Sequence, residues 1–164
     1  MSGRTAVRLG VVADTHGRLD PAIIVLFRGV DAIVHAGDIG SPEVIRGLEA
    51  VAPVLAVEGN NDVGWAAGRF PVERVERLGG RRVLVRHVFG ELHQLGEAER
   101  ALVARLAPDV VIFGHSHRPY RARLGRTLLF NPGGAGPRRF SLPRTVGLLR
   151  LGPGSIRARV LALD

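Results

Sequence analysis

Three short apolar runs rich in β-branched residues, at positions 7–13, 32–35 and 54–57, alternate with two stretches of helical period. This alternation constrains the fold more than any other feature of the chain. The first helical stretch opens at Asp20-Pro21, an N-cap followed by proline at the first helical position, and carries Ile23, Ile24 and Phe27 on one face. The second opens at Ser41-Pro42-Glu43 and carries Val44, Ile45 and Leu48. A β-α-β-α-β order implies parallel strands joined by right-handed crossovers. The second half reads as hairpins. Positions 72–78 and 82–88 flank a two-residue Gly79-Gly80 turn, 120–124 pairs with 127–130, and 146–151 pairs with 156–163 across Gly152-Pro153-Gly154. Between them lie a helix at 96–106, stopped by Pro108, and a buried strand at 110–113. With no repeat, linker or low-complexity segment, residues 1–164 read as one α/β domain, within the size of a single core.

Polar side chains able to bind metal follow each buried strand. Asp14 and His16 follow the first, and in extended backbone their side chains would point the same way. Asp38 follows the second, Asn60 the third, the strand at 82–88 leads into His87, and His115 and His117 follow the strand at 110–113. In open α/β sheets the functional crevice lies at the carboxyl ends of the strands, so these groups should converge there. Gly37, Gly59 and Gly114 each precede a candidate ligand, where glycine permits a sharp turn and close backbone approach. An isolated Asp-x-His or Gly-Asp is ordinarily a turn. The ordered set at five strand ends is hard to explain as structure alone.

Composition narrows the chemistry. All 23 basic residues are arginine, and lysine and cysteine are absent. There is therefore no Schiff-base or phosphate-binding lysine, no thiol nucleophile, no Cys-ligated zinc and no disulfide. Asp, His and Asn donors without thiolates suit Mn²⁺, Fe²⁺, Co²⁺, Ni²⁺ or Zn²⁺ better than Mg²⁺, which prefers oxygen-only shells. The candidate ligands are too many for one ion and fit two, if one carboxylate bridges. Two metals ~3.5–4 Å apart can clamp an in-line displacement at phosphorus and activate a water.

The charge is uneven. Residues 1–68 carry five arginines against eight acids, and residues 69–164 carry eighteen against seven. A basic half suggests anionic partners, or only an arginine-rich composition. Nucleic acid is the less favoured partner, because aromatics are only 5% of the chain, poor for base stacking. No apolar run is long enough to span a bilayer, and the start shows no signal-peptide pattern, so no membrane association and a cytoplasmic location are expected.

Asp14-Thr15-His16, Gly37-Asp38, Gly59-Asn60-Asn61-Asp62, His87 and Gly114-His115-Ser116-His117, in that order, resemble the calcineurin-like metallophosphoesterases. The similarity is greatest to their small bacterial and archaeal phosphodiesterase branch, which Asn131-Pro132-Gly133-Gly134 and Pro137-Arg138 also resemble. The resemblance covers roughly residues 8–150. It implies a calcineurin-like β-sandwich flanked by helices, four layers deep, with a dinuclear centre. Asp14, His16 and His117 would hold one metal, Asn60, His87 and His115 the other, and Asp38 would bridge them. A metal-bridging hydroxide would attack a small phosphodiester in line. Two divalent ions, two aspartates and a hydroxide sum to about +1, attractive to a phosphate ester. Manganese is the first expectation for both ions, with Fe, Ni, Co or Zn as alternatives. Asp62 would support a ligand histidine or act as a turn residue. Arg121, Arg123, Arg138 and Arg139 could bind phosphate or form a solvated basic face, with Arg138 the candidate substrate contact. A homo-oligomer is also expected.

Two departures from the family pattern matter. Asn61 stands where the wider superfamily has a histidine credited with protonating the leaving group, and losing such an acid typically costs ~10²–10⁴-fold. This implies a preference for esters with good leaving groups. Val88-Phe89 replaces Gly-His after His87, which would bulk up the cleft and leaves His93 as an alternative ligand to His87. Other readings are a non-catalytic protein-binding scaffold of the same fold, like the retromer subunit, and a nuclease or nucleic-acid binder using the basic half.

Overall fold

The computed structural model describes residues 5–164. The strands are β1 (Val7–Val12), β2 (Ala32–His35), β3 (Val54–Ala56), β4 (Glu73–Leu78), β5 (Arg81–Arg86), β6 (Val110–Ile112), β7 (Tyr120–Leu124), β8 (Thr127–Asn131), β9 (Thr145–Leu151) and β10 (Ile156–Ala162). The helices are α1 (Pro21–Leu26), α2 (Pro42–Glu49) and α3 (Glu97–Leu106). Two five-stranded mixed sheets form, in the orders β10-β9-β1-β2-β3 and β4-β5-β6-β8-β7. The β1-β2-β3 pairings are parallel, as the alternating order requires. In the β4–β5 hairpin Gly79 and Gly80 take φ of 59° and 79°, the left-handed pair that a two-residue turn needs.

The period of two sorts side chains between layers. Leu9, Val11, Val34 and Leu149 of the first sheet meet Val83, Val85, Ile112 and Phe130 of the second in the core between the sheets. The opposite face of the first sheet packs Val12 and Ile33 under Ile23 and Phe27 of the α1 segment and Val44 and Leu48 of α2. The outer face of the second packs Leu84, Val111 and Leu129 under Leu102 and Val103 of α3. The result is the four-layer α/β/β/α sandwich, with the C-terminal ends of β1, β2, β3, β5 and β6 at one rim. Among the described residues no helix is long and apolar enough to cross a membrane.

Asp20 shows how local signals join distant segments. One carboxylate oxygen caps α1 by accepting from Ala22 N–H (2.9 Å), and the other accepts from Arg144 Nη2 (2.8 Å). These two bonds, the cap first, hold the Asp20 carboxyl below its usual range against a small opposing effect of burial. Buried Arg144 also donates to Gly136 C=O and to the Asp164 carboxylate. Asp20→Ala should cost about 1 kcal/mol or somewhat more, read in a melting experiment as a Tm lower by roughly 2–4 °C. An unchanged Tm would show that neither bond contributes.

Candidate metal centre

The polar residues of the strand ends converge around two buried atoms. Asp14 Oδ1 lies 3.9 Å from His16 Nε2, 3.5 Å from His117 Nε2 and 3.8 Å from His87 Nε2. Asp38 Oδ2 lies 3.3 Å from His87 Nε2 and 3.8 Å from His16 Nε2. The rings of His16 and His117 stack, with centroids 5.2 Å apart and Nε2 atoms 3.3 Å apart. Asn60 Oδ1 sits 3.0 Å from His115 Nδ1, and the His115 ring stands edge-on to His87 at 5.4 Å. All seven candidate ligands thus lie in one cluster. Two trios have donor atoms close enough to share an ion: Asp14, His16 and His117, and Asp14, Asp38 and His87.

The backbone explains how. Asp14, His16, Asp38, His115 and His117 all have positive φ, between 45° and 74°. The extended geometry expected at Asp14 and His16 is therefore not what aligns them. The chain leaves β1 in left-handed turns held on both sides by backbone bonds: Asp14 N–H to Gly37 C=O and His16 N–H to Asp38 C=O on one, Gly136 N–H to Asp14 C=O on the other. Left-handed conformations at non-glycine residues cost ~1–3 kcal/mol each and persist only where the surroundings over-determine them. Of the preceding glycines, only Gly37 has a positive φ (97°). Gly59 and Gly114 are required by proximity, since a Cβ would lie 2.2 Å from Asp38 N at one and 2.9 Å from Ala13 Cβ at the other.

Supporting bonds aim the donors. His87 Nδ1–H donates to Ala36 C=O (2.7 Å), which turns the Nε2 lone pair toward Asp14 and Asp38. Asp62 accepts from the N–H groups of Ile39, Gly40 and Gly59, so it ties the Asp38 loop to the Asn60 loop through backbone bonds. Asn61 grips Asp38 through backbone N–H (2.8 Å to Oδ1) and Nδ2 (2.9 Å to Oδ2). Fully buried His35 bonds Thr15 Oγ1 through Nε2, and Thr15 spends its own proton on Ile39 C=O. His35 Nε2 must therefore donate, while Nδ1 accepts from Gly37 N–H. Burial pushes this neutral ring down to about 3. Asn131 joins Gly114 C=O, Ser116 Oγ and Gly133 N–H, which pins the His115–His117 segment.

The electrostatics are those of a cluster that wants a cation. Burial pushes the Asp14 carboxyl up to about 7, against the pull of His87. Burial holds His117 down to about 4 and also lowers His16, with Arg139 adding to both. Burial opposes the charged form of His87, yet Asp38 and Asp14 raise it overall. Burial likewise opposes Asp38, but nearby His87 and the two bonds from Asn61 hold it well below the usual carboxylate range.

Asp14 Oδ1 and His87 Nε2 are buried with no hydrogen-bond partner. Buried polar groups are nearly always paired, so an orphaned carboxylate oxygen facing an orphaned imidazole nitrogen across 3.8 Å calls for a proton or a metal between them. Donor separations of 3.3–3.9 Å in this cluster exceed most hydrogen bonds. They suit two bonds of ~2.0–2.2 Å to one ion. The residues fit a metal.

His93 is exposed and faces Glu91, so His87 and not His93 enters the cluster. Phe89 is one wall of the hollow beside His115. It is buried against Phe113 in the α3 core, which leaves Val88 alone on the surface. Arg138 is paired with Asp164, whereas the charge of Arg139 is felt at Asp14, His16 and His117. Trp65 packs on Phe70 and under Arg69. Asn131 and Arg144 have roles the sequence did not reveal, since both act by bonds to distant backbone.

Residues 7–153 match the model of the calcineurin-like phosphoesterase superfamily domain. A probable metallophosphoesterase of Methanothermobacter thermautotrophicus is 34% identical over 93% of this chain and 91% of its own length. A phosphodiesterase of Methanocaldococcus jannaschii is 28% identical over 77% of this chain and 83% of its own. Among solved structures, Vacuolar Protein Sorting 29 from Cryptosporidium parvum superposes with a TM-score of 0.76 at 16% identity, covering 97% of this chain and 98% of that one. That last likeness concerns the fold. Strand-end ligands, layers and family match agree: the chain belongs to the calcineurin-like phosphoesterase superfamily.

Proposed function

We propose that the chain is a phosphodiesterase acting on small phosphodiesters at a dinuclear metal centre. The carrying observation is the facing pair of orphaned buried atoms, Asp14 Oδ1 and His87 Nε2, ringed by His16, His117 and Asp38. Asp14, His16 and His117 would hold one divalent ion and Asn60, His87 and His115 the other, with Asp38 shared. Manganese is the first choice, and Fe, Ni, Co or Zn also suit these donors. When bound, the ions would act as Lewis acids on the phosphoryl oxygens and lower the pKa of the attacking water.

The chain's own residues set the geometry. Asn61 and Asp62 fix Asp38 and Asn60 relative to each other, and Ala36 C=O fixes the tautomer of His87. Arg139 brings positive charge toward the cluster, so it suits the non-bridging oxygens of a phosphate ester. Arg139→Ala should raise KM about tenfold with kcat little changed, and Arg138→Ala should change neither. Equal effects of the two would remove Arg139 from the substrate site.

Two hollows flank exposed Val88. One of about 270 Å³ reaches Asn60 and His87, and one of about 210 Å³ reaches His115. A diester carries two organic arms, and the pair of hollows offers a place for each. Asn61 spends its amide on Asp38 and cannot donate a proton at neutral pH, so the leaving group departs without a side-chain acid. Rates on aryl diesters should therefore fall steeply as the leaving-group pKa rises. Asn61→His should raise the ratio of alkyl to aryl rates, even though it gives up the amide bond to Asp38. A flat leaving-group dependence in the wild type would contradict this reading. A purely protein-binding role leaves the orphaned pair unexplained.

A further inference from the structure

A second charged surface lies away from the metal cluster. Strand register places Arg8 directly opposite Arg150, and Arg150 directly opposite Arg157, across the three neighbouring strands β1, β9 and β10. Arg159 stands two residues beyond Arg157, on the same face of β10. The intervening residues Leu9, Leu149 and Ala158 point into the core between the sheets, so the arginines occupy the outer face. All four are exposed and line one shallow hollow of about 240 Å³, whose other walls include Val30 and Leu148.

Like charges directly opposite each other in a sheet are destabilising. In the second sheet acids relieve part of the arginine charge, since Arg74 meets Glu76, Arg81 meets Asp109 and Arg86 faces Glu73, although Arg77 stands opposite Arg82. The outer face of the first sheet has no such relief, and none of its four guanidinium groups forms an ion pair among the described residues. The one carboxylate at the border, Asp31, accepts from the backbone N–H of Arg8 (2.7 Å). Four exposed cations at strand spacing, two of them on the edge strand β10, make one continuous cationic surface. Guanidinium forks match phosphate oxygens bidentately, and strands lie ~4.8 Å apart with residues on one face ~6.6–7 Å apart along each.

We propose that this face binds the phosphodiester backbone of nucleic acid, independently of the metal centre. No aromatic side chain lines the hollow, so contacts are to phosphates and binding is indifferent to base sequence. The surface also absorbs part of the basic excess of the second half of the chain, since Arg150, Arg157 and Arg159 belong to it.

The test is fluorescence anisotropy with labelled 12-nucleotide single-stranded and duplex DNA, in chelator, on the full chain. About four phosphate contacts should give a slope of log K against log salt near −3 to −3.6, an affinity loss of about 50–150-fold between 50 and 200 mM salt. Replacing Arg8, Arg150, Arg157 and Arg159 together by Gln should weaken binding at least tenfold and flatten the slope toward zero. Its Tm should be equal or higher, because the facing charges are gone. A control with Arg77, Arg105, Arg123 and Arg126 changed to Gln removes the same net charge and should bind within about twofold of wild type. Hydrolysis of a small aryl diester should be unaltered in both variants, which separates this surface from the proposed catalytic one. Equal weakening by the two variants would overturn the proposal, as would no oligonucleotide binding by the wild type at 50 mM salt. Binding to vesicles rich in anionic lipid without binding to either oligonucleotide would also overturn it.

Discussion

Asp14→Asn should make the metal-free protein more heat-stable and abolish its stabilisation by metal. In the wild type the Asp14 carboxylate is fully buried, and burial pushes it up to about 7 from an ordinary 3.8. Holding it ionised above that pH costs on the order of 2–4 kcal/mol. An amide removes the charge and keeps an oxygen for the His115 N–H that now bonds Oδ2 (3.1 Å). Its nitrogen would fall where Oδ1 now faces the imidazole nitrogens of His16, His87 and His117, and would supply a donor to His87 Nε2, which lacks a partner. A metal-free Tm higher by roughly 5–15 °C is expected. In the wild type, Mn²⁺ at about a hundred times its Kd should add ~2.7 kcal/mol, and this increment should vanish in the variant. A variant less stable than wild type in chelator, yet still stabilised by Mn²⁺, would remove Asp14 from the site.

Gly59→Ala should cripple turnover without replacing any proposed ligand. A Cβ at Gly59 would sit 2.2 Å from both the backbone N and Oδ1 of Asp38, a contact no rotamer relieves because one partner is main chain. Gly59 N–H also donates to Asp62, the residue that joins the two loops, so the displacement reaches Asn60 as well. Overpacking of this kind costs ~1–3 kcal/mol of stability. A misplacement of about 1 Å at a reacting centre can cost ~10²-fold in rate. Aryl diester hydrolysis should therefore fall at least a hundredfold while the far-ultraviolet circular dichroism stays native. Activity within threefold of wild type would show that Asp38 need not be held where the structure puts it.

The two predictions also mark where sequence reading reaches. Strands and helices were legible because their signals are local: β-branched runs, Asp20-Pro21 and Ser41-Pro42 at helix starts, Gly79-Gly80 at the hairpin. The ligand types were legible because each follows a strand end, where parallel order brings side chains to one rim. What could not be read depends on bonds between segments far apart in the chain. The left-handed backbone at Asp14 and His16 is imposed by the loops at Gly37–Asp38 and Gly136, so the expectation of extended geometry failed although the convergence did not. Asp62 resembles a turn residue in sequence, and only the fold reveals its bonds to Ile39 and Gly40. Arg138 and Arg139 are indistinguishable as letters. The Asp164 carboxylate pairs with the first, whereas the charge of the second acts on His117.

The most direct test is hydrolysis of an aryl phosphodiester by protein stripped with chelator and then supplied with Mn²⁺ or Ni²⁺, wild type beside Asp38→Asn. Asp38 is gripped by Asn61 and faces His87 and His16, so the account assigns it to both ions. The prediction is no measurable turnover in chelator, metal-dependent turnover in the wild type, and a loss of at least a thousandfold in the variant. Equal rates in wild type and variant, or a wild-type rate indifferent to chelator, would rule out metal-dependent hydrolysis through Asp38.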